Sequence, residues 1–444
     1  MPSSRWAPWW IVLSQNTARR VRDSPPFPEA LAMTSPTYIL GGHQTDFARV
    51  WSRNGQDLSD MIRESTLGAL EAARIDAGRV AAIHVGNAFG ELQRNQAHLG
   101  AMVSSVVPAL WGVPAMRHEG ACASASLAIL SAMAEIEAGR YDCVLVVGAE
   151  ELKNLPGDVS SANQNAAGWQ GREGIDCRFL WPAAFGMMGF EYERRYGLDR
   201  RHLNRIAELN YGNAKRNPLA QTRKWAFDAA SFTDDDEANP VIEPGTRRQD
   251  CGQITDGACS LVLSSGRFAA EHAARTGQAI ERLPKITGWG HRTVGLRAID
   301  KLERSRGDTY VFPHVRAAIT DAWARAGVSG PEAFDVLETH DCFTTTEYMA
   351  IDHFGLTEPG QSWRAVEAGD IEMGGRLPVN PSGGLIGGGH PVGATGARMV
   401  LDAARQVSGQ AGDYQVAGAR RAATLNIGGS CATVVSFVVE AGAA

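Results

Sequence analysis

The chain has 444 residues, 44% hydrophobic and 21% charged, which is long enough for two or three domains and too apolar for disorder over most of its length. A formal net charge of −6 argues against a general nucleic-acid binder, though local basic patches can still hold an anionic cofactor. No apolar run approaches the roughly 20 residues of a membrane span. Seven cysteines are scattered without a C-x-x-C pair, which disfavours a zinc ribbon or redox dithiol and suits a reducing, cytoplasmic setting.

Residues 1–33 carry several arginines and three tryptophans without periodicity, and read as an extension upstream of a start at Met33. An organellar targeting segment is the alternative. From Thr37 onward, strand-like and helical patterns alternate, which predicts an α/β protein. TYILGGHQTDF opens with a strand, residues 67–74 are helical, and AAIHVGNAFG at 81–90 is a strand. Next comes EGACASASLAILSAMAEIEAG, in which Cys122 opens a helix without charge until Glu135. A helix apolar on all sides is buried on all sides. YDCVLVVGAEE at 141–151 closes this first series as a strand. Residues 152–250 are polar and studded with aromatics, and read as an inserted, mostly helical cap. ITDGACSLVLSS at 254–265 returns to the first sheet, and KLERSRGD at 301–308 reads as a charged surface segment.

The series then repeats. A helix at 315–326 precedes a strand in FDVLETHDCF at 334–343, and AATLNIGGSCATVVSFVV at 422–439 ends the chain as a β run. Between them lies NPSGGLIGGGHPVGATGAR, where His390 sits among seven glycines just before a helix with Arg398, Asp402 and Arg405 on one face. Glycine lets the backbone turn tightly and approach a ligand. The order predicts two similar halves: 34–151 with 251–280, and 281–444, separated by the cap at 152–250. Facing each other, they bring Cys122 to His390. A thiol and an imidazole at helix mouths suggest nucleophilic catalysis, with the helix N-terminus favouring thiolate at Cys122.

GACAS around Cys122, HDCF at 340–343 and GGGHPVGATGAR around His390 together resemble the thiolase family, over nearly all of the chain from about residue 34. H-D-C-F resembles the sterol-carrier-protein-type thiolases and their acetyl-CoA acetyltransferase-like relatives, where other thiolases carry N-E-A-F. The resemblance implies two βαβαβαββ halves in a five-layer αβαβα sandwich with an inserted cap. It also implies a CoA-dependent acyltransferase that cleaves 3-ketoacyl-CoA with CoA, or runs the reverse condensation, through an acyl group on Cys122. On it, His390 takes the Cys122 proton, Cys342 serves as acid and base, and His340 contributes to an oxyanion hole. A second hole is expected from the backbone N–H groups of Cys122 and Gly428. Asp341 and Phe343 hold their loop, and Met188, Gly389 and Phe343 are candidates for contact with the CoA ester.

Two departures from the family pattern stand out. Ala125 replaces a usual Gly, and Asn426 stands where most thiolases have the second cysteine of C-x-G. CoA and acyl-CoA are expected as substrates, with no permanently bound cofactor and no metal. A homodimer or dimer of dimers is expected, with a small partner protein as a further option. Retro-aldol cleavage of a steroid side-chain CoA ester, and a non-catalytic lipid-CoA binding scaffold, are the competing functions.

Overall fold

The computed structural model describes residues 35–442 apart from residue 175. The N-terminal extension therefore lies outside the described residues. Eleven strands follow in chain order: β1 (Thr37–Gln44), β2 (Ala82–Gly86), β3 (Ala115–His118), β4 (Cys143–Glu150), β5 (Val241–Glu243), β6 (Thr246–Arg247), β7 (Gly257–Ser264), β8 (Lys285–Thr293), β9 (Val336–Thr339), β10 (Arg421–Gly428) and β11 (Thr433–Glu440). Nine of them are hydrogen-bonded in the order β3-β2-β4-β7-β1-β8-β11-β10-β9, and β5 and β6 form a separate hairpin.

The large sheet contains one pairing scheme twice. β1 runs antiparallel to β7, β7 antiparallel to β4, and β4 parallel to β2. β8 runs antiparallel to β11, β11 antiparallel to β10, and β10 parallel to β9. β3 extends the first half in parallel beyond β2, and Val379 makes a single parallel bridge to Leu337 where its counterpart would lie. Within the sheet the two halves pair through Thr37 with Ile286 and Tyr38 with Lys285.

Helices complete five layers. The helix Leu58–Ala72 packs on the outer face of the first half, and the helix Pro313–Arg325 on the outer face of the second. Between the halves lie the helices Ser124–Glu137 and Thr395–Val407, which share one apolar core built largely of Ala, Val and Leu. Small residues set how closely they meet: a Cβ on Gly396 would stand 2.3 Å from Ser126 Oγ. β4 and β7 are buried at every residue, so their sequences are continuous apolar and small runs rather than alternating ones.

Four local expectations change. The first helix starts at Leu58, nine residues before the 67–74 pattern, because Asp57 and Asp60 form a capping box with each other's backbone. The β run at 422–439 is a hairpin whose turn places Gly429 and Cys431 at positive φ. On the charged face of the helix Thr395–Val407, Arg398 and Asp402 are buried and Arg405 is half-buried, with Arg398 3.2 Å from both Glu338 and Asp402. Residues 301–308 are not all surface: Lys301 is 5% exposed and its ammonium donates to Gly295 O, Leu296 O and Ser430 Oγ.

The inserted region holds the helices Gly157–Gln164, Leu180–Tyr196 and Arg200–Ala214 with the β5–β6 hairpin. Phe185 and Tyr192 are core, while Trp169 and Phe190 are exposed. Among the described residues no helix is long and apolar enough to cross a membrane.

Candidate active site

Cys122 sits in a short 3-10 turn, Ala121–Ala123, that leads directly into the helix Ser124–Glu137. Ala121 is held at φ 51, in the left-handed region, while its N–H donates to Glu119 Oε1 at 2.6 Å. That twist turns the thiol away from the helix toward the opposite half. The methyl of Ala125, the residue that departs from the family pattern, is fully buried against Gly86 and Gly148 on β2 and β4. Neither glycine tolerates a side chain there, because a Cβ on Gly86 would stand 2.5 Å from the Ala125 backbone. The strands have been cleared for the methyl.

His390 Nε2 lies 3.2 Å from Cys122 Sγ. The other ring nitrogen, Nδ1, is 2.7 Å from Thr395 Oγ1, and that hydroxyl donates to Pro391 O. Thr395 therefore accepts from Nδ1–H, which leaves the Nε2 lone pair for the thiol proton. The His390 backbone is fixed by its N–H to Thr255 Oγ1 at 2.9 Å. Gly389, at φ 112, closes this turn against Thr255, Gln221 and Phe47.

Burial governs both charges. The Cys122 thiol is pushed up to about 12, chiefly by burial and further by Glu150 and Glu119, against hydrogen bonds from the backbone N–H groups of Gly429 and of Cys122 itself. Burial, helped by Arg398, lowers His390 to about 3. Desolvation thus works against the thiolate expected from the helix N-terminus, and its direction for both groups favours a thiol beside a neutral imidazole. The amide reaching the sulfur belongs to Gly429. Gly428 supplies close approach, since a Cβ on it would stand 2.1 Å from Gly120 O.

His340 faces the pair edge-on, its ring centroid 5.4 Å from that of His390. One donor atom from each of Cys122, His340 and His390 lies within 4.8 Å of the others. His340 Nδ1 accepts the backbone N–H of Ile427 at 3.3 Å and faces Asn426 Nδ2 at 3.2 Å. The Asn426 carbonyl oxygen is taken by Ser126 Oγ at 2.7 Å, so its amide nitrogen is the end that donates to His340. With Nδ1 accepting twice, the ring proton is on Nε2, and Nε2 is buried without a protein partner. An N–H held this way is a donor waiting for an acceptor. The same tautomer makes the trio a poor metal site, because His340 has no lone pair free toward Cys122 and His390.

Cys342 is buried, and its thiol is raised well above the ordinary value by burial and then by Cys122, Asp341 and Cys431. It is not one of the tight trio. Phe343 stacks on Phe185 at 4.4 Å, and Met188 is fully buried in the same apolar cluster. Cys431 lies in the β10–β11 turn, not in a strand, with its carbonyl accepting from His314 Nε2.

Buried carboxylates hold these loops, Asp341 as the sequence suggests and three others, Glu150, Glu338 and Glu347, that it does not single out. Glu150 accepts from Asn87 Nδ2 and from the N–H groups of Ala88, Phe89 and Gly393, tying the β2 end to the His390 turn. Asp341 accepts from the N–H groups of Leu385 and Ile386 and from Asn210. Glu347 joins Asn210 to Asn380, and Glu338 takes the Ser382 hydroxyl at 2.6 Å. The available signal was an acid ending a wholly apolar strand, as in VLVVGAEE. Lys301, hydrogen-bonded to Ser430 beside Gly429, gave no such signal.

Family models match both halves: "Thiolase, N-terminal domain" over residues 37–227 and "Thiolase C-terminal domain-like" over residues 297–441. An acetyl-CoA acetyltransferase from Methanothermobacter thermautotrophicus is 31% identical over 404 residues, covering 90% of this chain and 98% of the relative. Sterol carrier protein 2 of Rattus norvegicus is 29% identical over 423 residues, covering 92% of this chain and 73% of that protein. Among solved structures, the Ltp2–ChsH2(DUF35) aldolase shares the fold with a TM-score of 0.73 at 19% identity, over 92% of this chain and 99% of that one. With both domain models matched in order and the acetyltransferase aligned over nearly its whole length, this chain belongs to the thiolase family.

Proposed function

We propose that the protein is a CoA-dependent acyltransferase that carries an acyl group on Cys122, cleaving 3-ketoacyl-CoA with CoA or condensing two acyl-CoA molecules. The observation that carries this reading is the 3.2 Å contact between Cys122 Sγ and the unprotonated Nε2 of His390. As Cys122 attacks the substrate carbonyl, His390 Nε2 takes the thiol proton, so ion formation is delayed until the carbon–sulfur bond is forming. The backbone N–H groups of Cys122 and Gly429 receive the developing oxyanion.

In thiolysis the carbon–carbon bond then breaks to leave an acyl-cysteine and the enolate of the departing acyl-CoA. His340 Nε2–H, together with His390 once it carries the proton, donates to the enolate oxygen. Cys342 enters as a thiol, raised by its buried and acidic surroundings, and protonates the enolate carbon. The Cys342 thiolate takes the proton of the incoming CoA thiol, whose sulfur attacks the acyl-cysteine; Cys122 leaves and recovers its proton from His390. Condensation is the same sequence reversed. The acetyltransferase name of the Methanothermobacter relative supports the acyl-transfer class. We further place a homodimer contact on the free edge of β3, where Met116 is 46% exposed.

The test is a CoA-dependent thiolysis assay following loss of 3-ketoacyl-CoA. Cys122→Ala and His390→Ala are expected to lose at least about 1,000-fold in kcat. Full activity in Cys122→Ala would contradict the proposal.

A further inference from the structure

A cavity of about 320 Å³ opens beside the Cys122 turn. Gly120 and Ala121 line it from one half, Gly428 and Gly429 from the other, and Phe89 and Ala167 close the remaining sides. These are the backbone turns that frame the Cys122 sulfur. Cys122 does not line the cavity itself but packs in one apolar cluster with Phe89, Ala88 and Ala167, which do. The rim carries Leu92 and Leu296, which are 47% and 41% exposed despite their size. On the cap side Met188 is fully buried, and Phe343 stacks on Phe185.

We propose that this cavity holds the tail of the acyl group carried on Cys122, and that the enzyme selects uncharged acyl groups of short to medium length over acetyl and over acyl groups ending in a carboxylate. The inference rests on the acyl-cysteine reading above and adds the substrate class. Walls of Gly and Ala leave the volume to the ligand, and their apolar surface favours methylene groups over water. The space holds about ten water-sized volumes at roughly 30 Å³ each, enough for a chain of about six to eight carbons. The charged group on the wall is Glu119, held in place by the N–H of Ala121. A carboxylate there repels a carboxylate at the end of an acyl chain.

The experiment measures the rate of acyl-adduct formation on the whole protein by intact mass, using acetyl-, butyryl-, hexanoyl-, octanoyl- and adipoyl-CoA. For wild type, the rate rises about threefold to fourfold per buried methylene, the equivalent of about 0.8 kcal/mol, up to hexanoyl. Adipoyl-CoA reacts at least tenfold more slowly than hexanoyl-CoA. Ala167→Leu, which fills the cavity, lowers the hexanoyl-to-acetyl ratio at least tenfold. Glu119→Gln keeps an oxygen for the Ala121 N–H and narrows the gap between adipoyl and hexanoyl. Adducts that form at one rate for all chain lengths would overturn the cavity assignment and leave the acyl-cysteine standing. So would an Ala167→Leu variant that slows every ester equally, or a Glu119→Gln variant with an unchanged adipoyl gap. No adduct with any ester would overturn both.

Discussion

Cys122 and His390 meet as a neutral thiol and a neutral imidazole, because both lie where desolvation penalises charge more than the helix dipole rewards it. The sign is then fixed. A histidine lowered to about 3 stays a competent base at every pH above that value, and a thiol raised to about 12 stays protonated below it. Acylation of Cys122, read by stopped reaction and mass spectrometry, should be flat between about pH 5 and pH 8; an inflection near the ordinary histidine value would contradict this assignment. His340 acts through one free N–H. His340→Ala should lower the kcat of thiolysis by about 100-fold, the scale of one oxyanion donor near 3 kcal/mol, while His340→Asn retains more because it keeps an N–H. The three residues were legible in the sequence because small-residue segments and a short ordered motif surrounded them. Asn426 was legible only as a missing cysteine. Its actual work, holding His340 in one tautomer while bonded to Ser126 of the opposite half, depends on a contact 300 residues away in sequence and leaves no local pattern.

Individual elements show the same division between periodic and non-periodic information. The Cys122 helix was readable because twelve uncharged residues in a row need burial on all sides, and the helix is indeed the inner layer. Ala125 at its start is filled space rather than a strained departure, with Gly86 and Gly148 opposite. Ala125→Gly should therefore lower stability by about 1–2 kcal/mol, from a lost buried methyl and a freer helix start, as read by denaturant unfolding; an unchanged or raised midpoint would show that the methyl strains the turn. The segment 301–308 misleads because its composition is that of a solvated face, whereas Lys301 folds back to three acceptors around the Gly429 turn. Lys301→Met removes the ammonium donor from Gly295 O and Ser430 Oγ and one of two donors from Leu296 O, and is expected to slow Cys122 acylation more than it weakens binding of the CoA ester, read as a kcat effect exceeding the KM effect.

Across the whole molecule, the twofold order of helix, strand, catalytic residue, helix and strand was visible because each half must bury the same faces. Apart from Asp341, the buried carboxylates were not, since an acid at the end of a strand looks the same whether it meets water or a backbone amide. Glu150 is raised to about 7, mainly by burial, and Glu338, Asp341 and Glu347 are also raised. A folded-state value above the unfolded one means the native state binds more protons. The contribution of these groups is full below the ordinary carboxylate value of 4.5 and is lost as pH rises through about 7. Buried neutral histidines, His390 and His340 among them, add stability as pH rises through the ordinary histidine value, so the carboxylate share is read as a difference between proteins. The melting temperature of Glu347→Gln, whose side-chain oxygen still accepts from Asn210 and Asn380, should rise relative to that of the wild type between about pH 5 and pH 8. A difference that stays constant or falls over this range would contradict the assignment. The most direct test of the acyl-cysteine itself is peptide mass spectrometry after mixing the protein with acetoacetyl-CoA in the absence of free CoA. The account predicts an acetyl group on the peptide containing Cys122, absent in Cys122→Ala and released when CoA is added. Cleavage of the ester with no adduct on Cys122 would contradict it.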